Sequence, residues 1–412
     1  MASEQVKLSM QDTNNTIHAA FICNADDDGS GDEELCSPET ALLVVRDSVL
    51  LESRGVVLDT VTGTVYDLSG GCCLSDVKRY KVGDRLTLPP SQQSRYASRP
   101  HRPLFFAAHS HDTSYYHFVM ETLSRLVRPS MAQHLLRTNQ MDLYINGESG
   151  FHFKFLSGVL CGNNTKMKFS SKSDEASTCY APQRVPTVVK REQFPFVVLP
   201  PAPTASSHLH ILSQDLTNSS IRSEMAKTFG AVANTLKGAV GPPCHVDDGE
   251  ASNLVRQNQT QRRPHVVVLM RGKNRMVRNL GGWVNSARLK WPGVDFRVVP
   301  DADLSSMSLH DMGAVFCSAA GLVGGHGAGL TNMMWLAPDA SFVAQITRPH
   351  QAWLYKTMAS VLKVHYVEAS ATGIGAGGNS LYANVVADLA NLTAQLTPWL
   401  TNISAASKVG GG

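Results

Sequence analysis

The stretch LVGGHGAGLTN, Leu322 to Asn332, carries an apolar run directly into four glycines spaced by His326 and Ala328, then into a helix start continued by MMWL. This is the pattern of a β–α junction. Glycine lets the backbone approach a ligand with no side chain between, and the first helical amides point at that ligand along a dipole that favours negative charge. A diphosphate suits such a junction. The order of residues is neither Walker A, which needs Gly-Lys-Ser/Thr, nor the dinucleotide GxGxxG. His326 can add a hydrogen bond or a positive charge. The plainer alternative is a tight turn whose histidine satisfies backbone groups.

Outward from the junction, residues 264–375 alternate strands and helices: HVVVLM, DFRVVP, a helix from Ser308 to Ser318, AGLVGG, the helix TNMMWL, SFVAQIT, a helix across Trp353 to Leu362, and VHYVEA. That alternation predicts a parallel sheet covered by helices on both faces, a Rossmann-like domain suited to a nucleotide. In residues 376–412, Leu381, Val385, Leu389, Leu392, Leu396 and Leu400 form an apolar helical stripe, read as a packing helix before a tail.

Toward the N-terminus, residues 1–38 are polar, with the acidic run DDDGSGDEE, and read as a disordered arm. Residues 39–205 open with a small β-rich lead-in of short β-branched runs and continue as a second Rossmann-like domain. There, PLFFAAHSHDTSYYHFVMETLSRLVRP passes from a strand at 104–108 into a helix. Tyr116, Val119, Leu123, Leu126 and Val127 share its packing face, while His117, Glu121 and Arg125 share another. Residues 206–263 read as a connecting helix, through Ile221 to Phe229, within a loop-like insertion. The fold class expected is therefore α/β, with two Rossmann-like domains facing each other.

A chain of 412 residues with 43% apolar content can build two cores. The 37 basic and 34 acidic residues balance too closely for a protein that coats nucleic acid or adsorbs strongly to membranes. Eight cysteines without CxxC pairs argue against a structural zinc site; disulfides are allowed by the count, not required. Six Asn-x-Ser/Thr sequons, at Asn14, Asn163, Asn218, Asn258, Asn391 and Asn402, are compatible with a secretory compartment. The opening MASEQVKLSMQDTNNT lacks the basic stretch and apolar core of a signal peptide, and no apolar run reaches about 18 residues. The expectation is a soluble chain whose membrane anchor, if it uses one, lies outside this sequence.

A second anion-seeking element, MRGKNRMVRN (Met270 to Asn279), follows the strand HVVVL. Ligands of parallel sheets bind beyond the carboxyl ends of strands, so Arg271, Arg275 and Arg278 stand where phosphates need cations. The alternative is a solvated basic loop. Taken in order, HF.METLSRL (His117 to Leu126), VVVLMR...R...N (Val266 to Asn279), GLVGGHGAGLTNMMWLAP (Gly321 to Pro338) and W....MAS.L.V.Y (Trp353 to Tyr366) resemble glycosyltransferase family 61. That family includes core β1,2-xylosyltransferases and secretory O-linked N-acetylglucosaminyltransferases. The resemblance implies a GT-B-like pair of Rossmann domains, a UDP-sugar co-substrate held mainly by the C-terminal one, and inverting transfer of a pentose or N-acetylglucosamine to a glycan or glycoprotein. It also implies the Golgi or endoplasmic reticulum lumen. Arg271 and Arg275 match the family's Ser-Arg...Arg element and Asn279 its Leu-Asn-Glu, while His326, Gly327, Ala328, Gly329, Thr331 and Asn332 match the donor loop. Met270 replaces a serine, Leu280 a glutamate, and Gln345 stands where a glutamate often follows.

An inverting transfer needs a base for the acceptor proton, and the first domain offers Asp112, His117 and Glu121. His109 and His111 resemble a metal pair without a third ligand, and Asp301-Ala-Asp303 spells DxD in a place suited to a helix cap or loop, so no metal residue is assigned and metal dependence stays open. Two other functions fit less of the pattern. An oxidoreductase needs an acidic ribose ligand where MRGKNRM supplies arginines. A degenerate member that binds nucleotide-sugar or glycan without transfer would account for Leu280 and Gln345. The phosphate reading predicts that Arg271→Ala and His326→Ala each weaken UDP binding without unfolding the chain; calorimetric titration of a folded double variant with unchanged affinity would refute it.

Overall fold

Short β-branched runs separated by a few turn residues cannot span a helical crossover, so they pair as hairpins. In the computed structural model this holds for most of the N-terminal unit, Met1–Gln214. The structure describes residues 7–10, 19–23, 42–52, 56–59, 64–67, 78–81, 104–107, 114–127, 136, 141–145, 150–161, 193–199, 219–241, 244, 264–348, 353–374 and 383–409. The N-terminal strands are β1 (Lys7–Met10), β2 (Ala19–Cys23), β3 (Leu42–Glu52), β4 (Val56–Asp59), β5 (Thr64–Asp67), β6 (Lys78–Lys81), β7 (Leu104–Phe106), β8 (Asp142–Tyr144) and β9 (Gln193–Leu199). They form one sheet in the order β6-β5-β4-β3-β9-β7-β8, with β2 also on β3 and β1 on β2. Only β9, β7 and β8 are parallel. The antiparallel strands β3 to β6 are those of the expected β-rich lead-in, and the stretch expected to be Rossmann-like adds the parallel strands β9, β7 and β8 to the same mixed sheet. Helix α1, residues 115–127, follows β7, and α2 (Gly150–Cys161) follows β8. Strands β1 and β2 also fall inside the stretch expected to be a polar arm.

The C-terminal unit, Asp215–Gly412, begins with α3 (Ser219–Val240), longer than the expected connecting helix. Its Met225, Phe229, Val232, Leu236 and Val240 recur at helical spacing and are buried, so α3 is a layer of this unit and not a linker. Lys237 donates to the Leu336 carbonyl at 2.9 Å, and partial burial lowers its pKa. The strands are β10 (His265–Met270), β11 (Asp295–Pro300), β12 (Ala319–Gly325), β13 (Phe342–Thr347), β14 (His365–Gly373) and β15 (Val385–Ala387). They lie in the order β11-β10-β12-β13-β14-β15, all parallel except β15. This is a doubly wound sheet with a switch of direction between β10 and β12.

Helices α4 (Leu280–Lys290), α5 (Asp301–Ser306), α6 (Leu309–Phe316), α7 (Trp353–Val361) and α8 (Leu389–Val409) complete the unit. Trp283 and Val284 of α4 and Leu392, Leu396 and Leu400 of α8 pack on Val266, Val268, Phe296, Val323, Phe342 and Ala344. On the other side α3 meets α6, α7 and a 3₁₀ helix, Ala328–Trp335. Three local expectations change. Helix α4 was hidden by Gly281 and Gly282, although the parallel pair β10 and β11 requires a crossover. The helix after the glycines is 3₁₀, with the backbone bonds Leu330 N to Gly327 O and Leu336 N to Met333 O both at 3.0 Å, and the Asn332 side-chain NH₂ donates to Gly329 O at 2.9 Å. Val385 belongs to β15, so the apolar helical stripe starts later, at Leu389.

Cys244, beyond α3, is bonded to Cys317 at the end of α6, with Cα atoms 5.0 Å apart and a sequence separation of 73. Closing a loop of this length restricts the unfolded chain by about 4 kcal/mol. Replacing both cysteines by serine is expected to lower the urea midpoint accordingly and to remove the part of its sensitivity to reductant that this bond contributes.

Candidate functional site

Strand β10 is apolar at nearly every position because both faces are covered, and the chain turns polar where the sheet ends, at Arg271. Its neighbour β12 ends at Gly325, so the segment after β10 and the glycine loop leave the sheet side by side at the switch point. Segment 276–278 is pinned laterally: Val385 N bonds Met276 O at 2.8 Å, Arg278 N bonds Val385 O at 3.0 Å, and Met276 N bonds Asn384 Oδ1 at 2.9 Å. Asn279, expected at the donor, joins this clamp by exchanging hydrogen bonds of 2.8 and 3.0 Å with the Ala387 carbonyl and amide.

The pinned segment lies against the glycines. A Cβ on Gly325 would stand 2.9 Å from Val277 Cγ2, and one on Gly327 would strike the Arg271 guanidinium. Gly327 has φ 165°, extended backbone open to any residue, so contact and not conformation demands glycine there. The Arg271 Nε donates to Asn274 O at 2.9 Å and lies 3.6 Å from Asp301 Oδ2. Burial raises the Asp301 pKa, and the Arg271 charge opposes the rise. Arg275 adopts φ 59°, a left-handed conformation that costs a non-glycine residue about 1 kcal/mol.

Arg275, His326, Ile346, Thr347, Arg348, Ala383 and Val385 line one cleft. Arg348 directly follows β13 and is only 7% exposed, so two guanidinium groups and an imidazole share a cleft that has no carboxylate among its described lining residues. Tyr355 of α7 stands beside them, its ring centroid 5.4 Å from that of His326 in an edge-on arrangement. Burial drives the Tyr355 pKa up; the Arg275 and Arg271 charges and the Thr331 hydroxyl oppose this without reversing it, so the phenol keeps its proton. Behind His326, the Gln345 side-chain amide meets Nδ1 at 2.9 Å, and the Tyr366 hydroxyl donates to Gln345 Oε1 at 3.0 Å.

Of the expected donor residues, Arg275 and His326 share the cleft, and Arg271 reaches Gly327 beside it. Ala328 and Gly329 are partly exposed; Thr331 and Asn332 are fully buried beneath the loop. Arg278 is exposed and outside the cleft lining. His117 and Glu121 belong to the N-terminal unit. His117 is half-buried, edge-on to Tyr116 at 5.2 Å, and Glu121 falls in the π-helical turn Phe118–Thr122 within α1, an irregularity frequent at functional sites. Asp112, His109 and His111 lie outside the described residues. Asp301 and Asp303 occupy the first turn of α5, and no group of three metal-capable side chains occurs among the described residues. Sequence reasoning missed Arg348 and Tyr355. The signal for Arg348 was its place after an apolar strand, the rule that identified Arg271; Tyr355 had none, since aromatic residues in helices usually pack.

A family model described as Glycosyltransferase 61 matches residues 115–343, more than half of the chain. No curated protein matches it.

Gly321 and Gly327 make a discriminating pair. A Cβ on Gly321 would enter the buried Phe342 ring, whereas on Gly327 it meets only the end of a flexible arginine. Gly321→Ala is expected to destabilise by about 1–3 kcal/mol. Gly327→Ala should leave the thermal midpoint nearly unchanged yet displace Arg271, which a crystal structure of that variant would reveal.

Proposed function

The chain belongs to glycosyltransferase family 61, and from that premise we propose that it moves a sugar, a pentose or N-acetylglucosamine, from a UDP-sugar to a glycan or glycoprotein acceptor with inversion at the anomeric carbon. The observation that carries the donor side is the convergence of Arg275, His326 and Arg348 at the carboxyl ends of a parallel sheet, without an acidic group among the described lining residues. As the glycosidic bond breaks, negative charge grows on the departing diphosphate, and fixed cations and N–H donors stabilise it most when they need not reorganise. Arg275 and Arg348 are held by a pinned segment and by burial. Arg271 is partly neutralised by Asp301, so it acts more by holding the glycine loop than by adding net charge.

Within the proposal, His117, Glu121 or Asp112 takes the proton from the acceptor hydroxyl. The Golgi or endoplasmic reticulum lumen is the compartment proposed; the Cys244–Cys317 disulfide supports an oxidising environment. No helix among the described residues is long and apolar enough to cross a membrane.

Incubation with a panel of radiolabelled UDP-sugars tests the activity. Release or transfer of sugar supports it; UDP binding without turnover leaves a nucleotide-binding protein; absence of UDP binding refutes the site. Arg275→Ala and Arg348→Ala are each expected to weaken UDP binding tenfold to about a hundredfold, the range of one charge-assisted hydrogen bond.

A further inference from the structure

The side chain behind His326 bears on what that histidine can do. Gln345 sits on β13 with no exposed surface, in register between Gly324 of β12 and Glu368 of β14. Its carbonyl oxygen accepts from the Tyr366 hydroxyl at 3.0 Å, which leaves its NH₂ group to face His326 Nδ1 at 2.9 Å. Tyr366 remains a donor, because burial and the nearby Glu368 charge both raise its pKa. An amide NH₂ can only donate, so Nδ1 must accept through its lone pair. A neutral imidazole that accepts at Nδ1 carries its single proton on Nε2.

We propose that Gln345, itself oriented by Tyr366, is a positioning residue that holds His326 neutral with its proton on Nε2, so that the imidazole serves the anion cleft as a hydrogen-bond donor and not as a third cation. The role assigned to the donor rests on the diphosphate reading above; the tautomer does not. Among the described residues, the charged or titratable groups around His326 are Arg271 and Arg275 after β10, Arg348 after β13, Tyr355 on α7, and Tyr366 with Glu368 on β14. Two arginines already line the cleft, and an imidazolium would add like-charge repulsion while the site is empty. A neutral N–H donor contributes a directed hydrogen bond to a phosphate oxygen without it. A carboxylate at position 345 would act in the opposite sense, accepting from Nδ1–H and favouring the doubly protonated ring.

Long-range proton–nitrogen correlation spectra of the full chain with ¹⁵N-labelled histidine test this without any nucleotide, the His326 signals being assigned by their absence in His326→Gln. The expected result is protonation at Nε2 alone at neutral pH. In Gln345→Glu the ring should become protonated at Nδ1 as well. In Tyr366→Phe, which removes only the hydroxyl, the Gln345 amide can reverse and the Nδ1-protonated form should appear. An Nδ1-protonated or doubly protonated His326 in the unaltered chain overturns the proposal, as does a tautomer indifferent to both substitutions. UDP titration then examines the consequence: Gln345→Leu should bind about tenfold more weakly, and unchanged affinity overturns the role in binding. If Gln345→Leu does not fold, Tyr366→Phe provides the same comparison. Failure of the unaltered chain to bind UDP refutes the donor reading while leaving the tautomer result standing.

Discussion

The C-terminal unit depends at its site on one close contact, the laying of the segment after β10 over the glycine loop after β12. Two parallel strands that end together would leave their following segments in collision if both carried side chains. Glycine at 325 and 327 removes the obstacle on one side, and Val277 and the Arg271 guanidinium occupy the space. The clamp from Asn279, Asn384 and Val385 then prevents the segment from lifting away. Only with that segment seated does Arg275, in its left-handed conformation, line the same cleft as His326 and Arg348.

That arrangement divides labour among residues that look equivalent in sequence. Arg271 and Arg275 are four residues apart in one basic stretch, yet Arg271 is engaged by Asp301 and the Asn274 carbonyl while Arg275 lines the cleft. Thr331 and Asn332, equally part of the motif, are buried under the loop and support it; Asn332 bonds Gly329 directly. The motif thus combines ligand-facing residues with residues that shape the turn, and spelling does not separate them.

The glycine-to-3₁₀ junction also changes the account of anion binding. An α-helix would present several amides along a summed dipole, but the 3₁₀ segment is short and its N-terminal glycine is covered by Arg271. In the proposed donor site, side-chain cations and the His326 ring therefore carry more of the electrostatic work than helix amides.

The sequence by itself determined the parallel alternation of the C-terminal unit, because apolar runs such as HVVVLM and SFVAQIT read the same whatever surrounds them, and β10 and β11 have the expected ends. It also marked the glycine loop and the basic segment, whose residue types are constrained by local chemistry. It marked the short runs that pair as hairpins, but not that β9, β7 and β8 join them in one sheet, since short strands have no local mark of distant partners. Nor did it distinguish Asn279 as a clamp from Arg275 as a cleft residue, or join Arg348, Tyr355, Gln345 and Tyr366 to His326. Those assignments were decided by tertiary structure, because each needs groups 19 or more residues apart, on different elements, to meet within hydrogen-bonding or ring-contact distance.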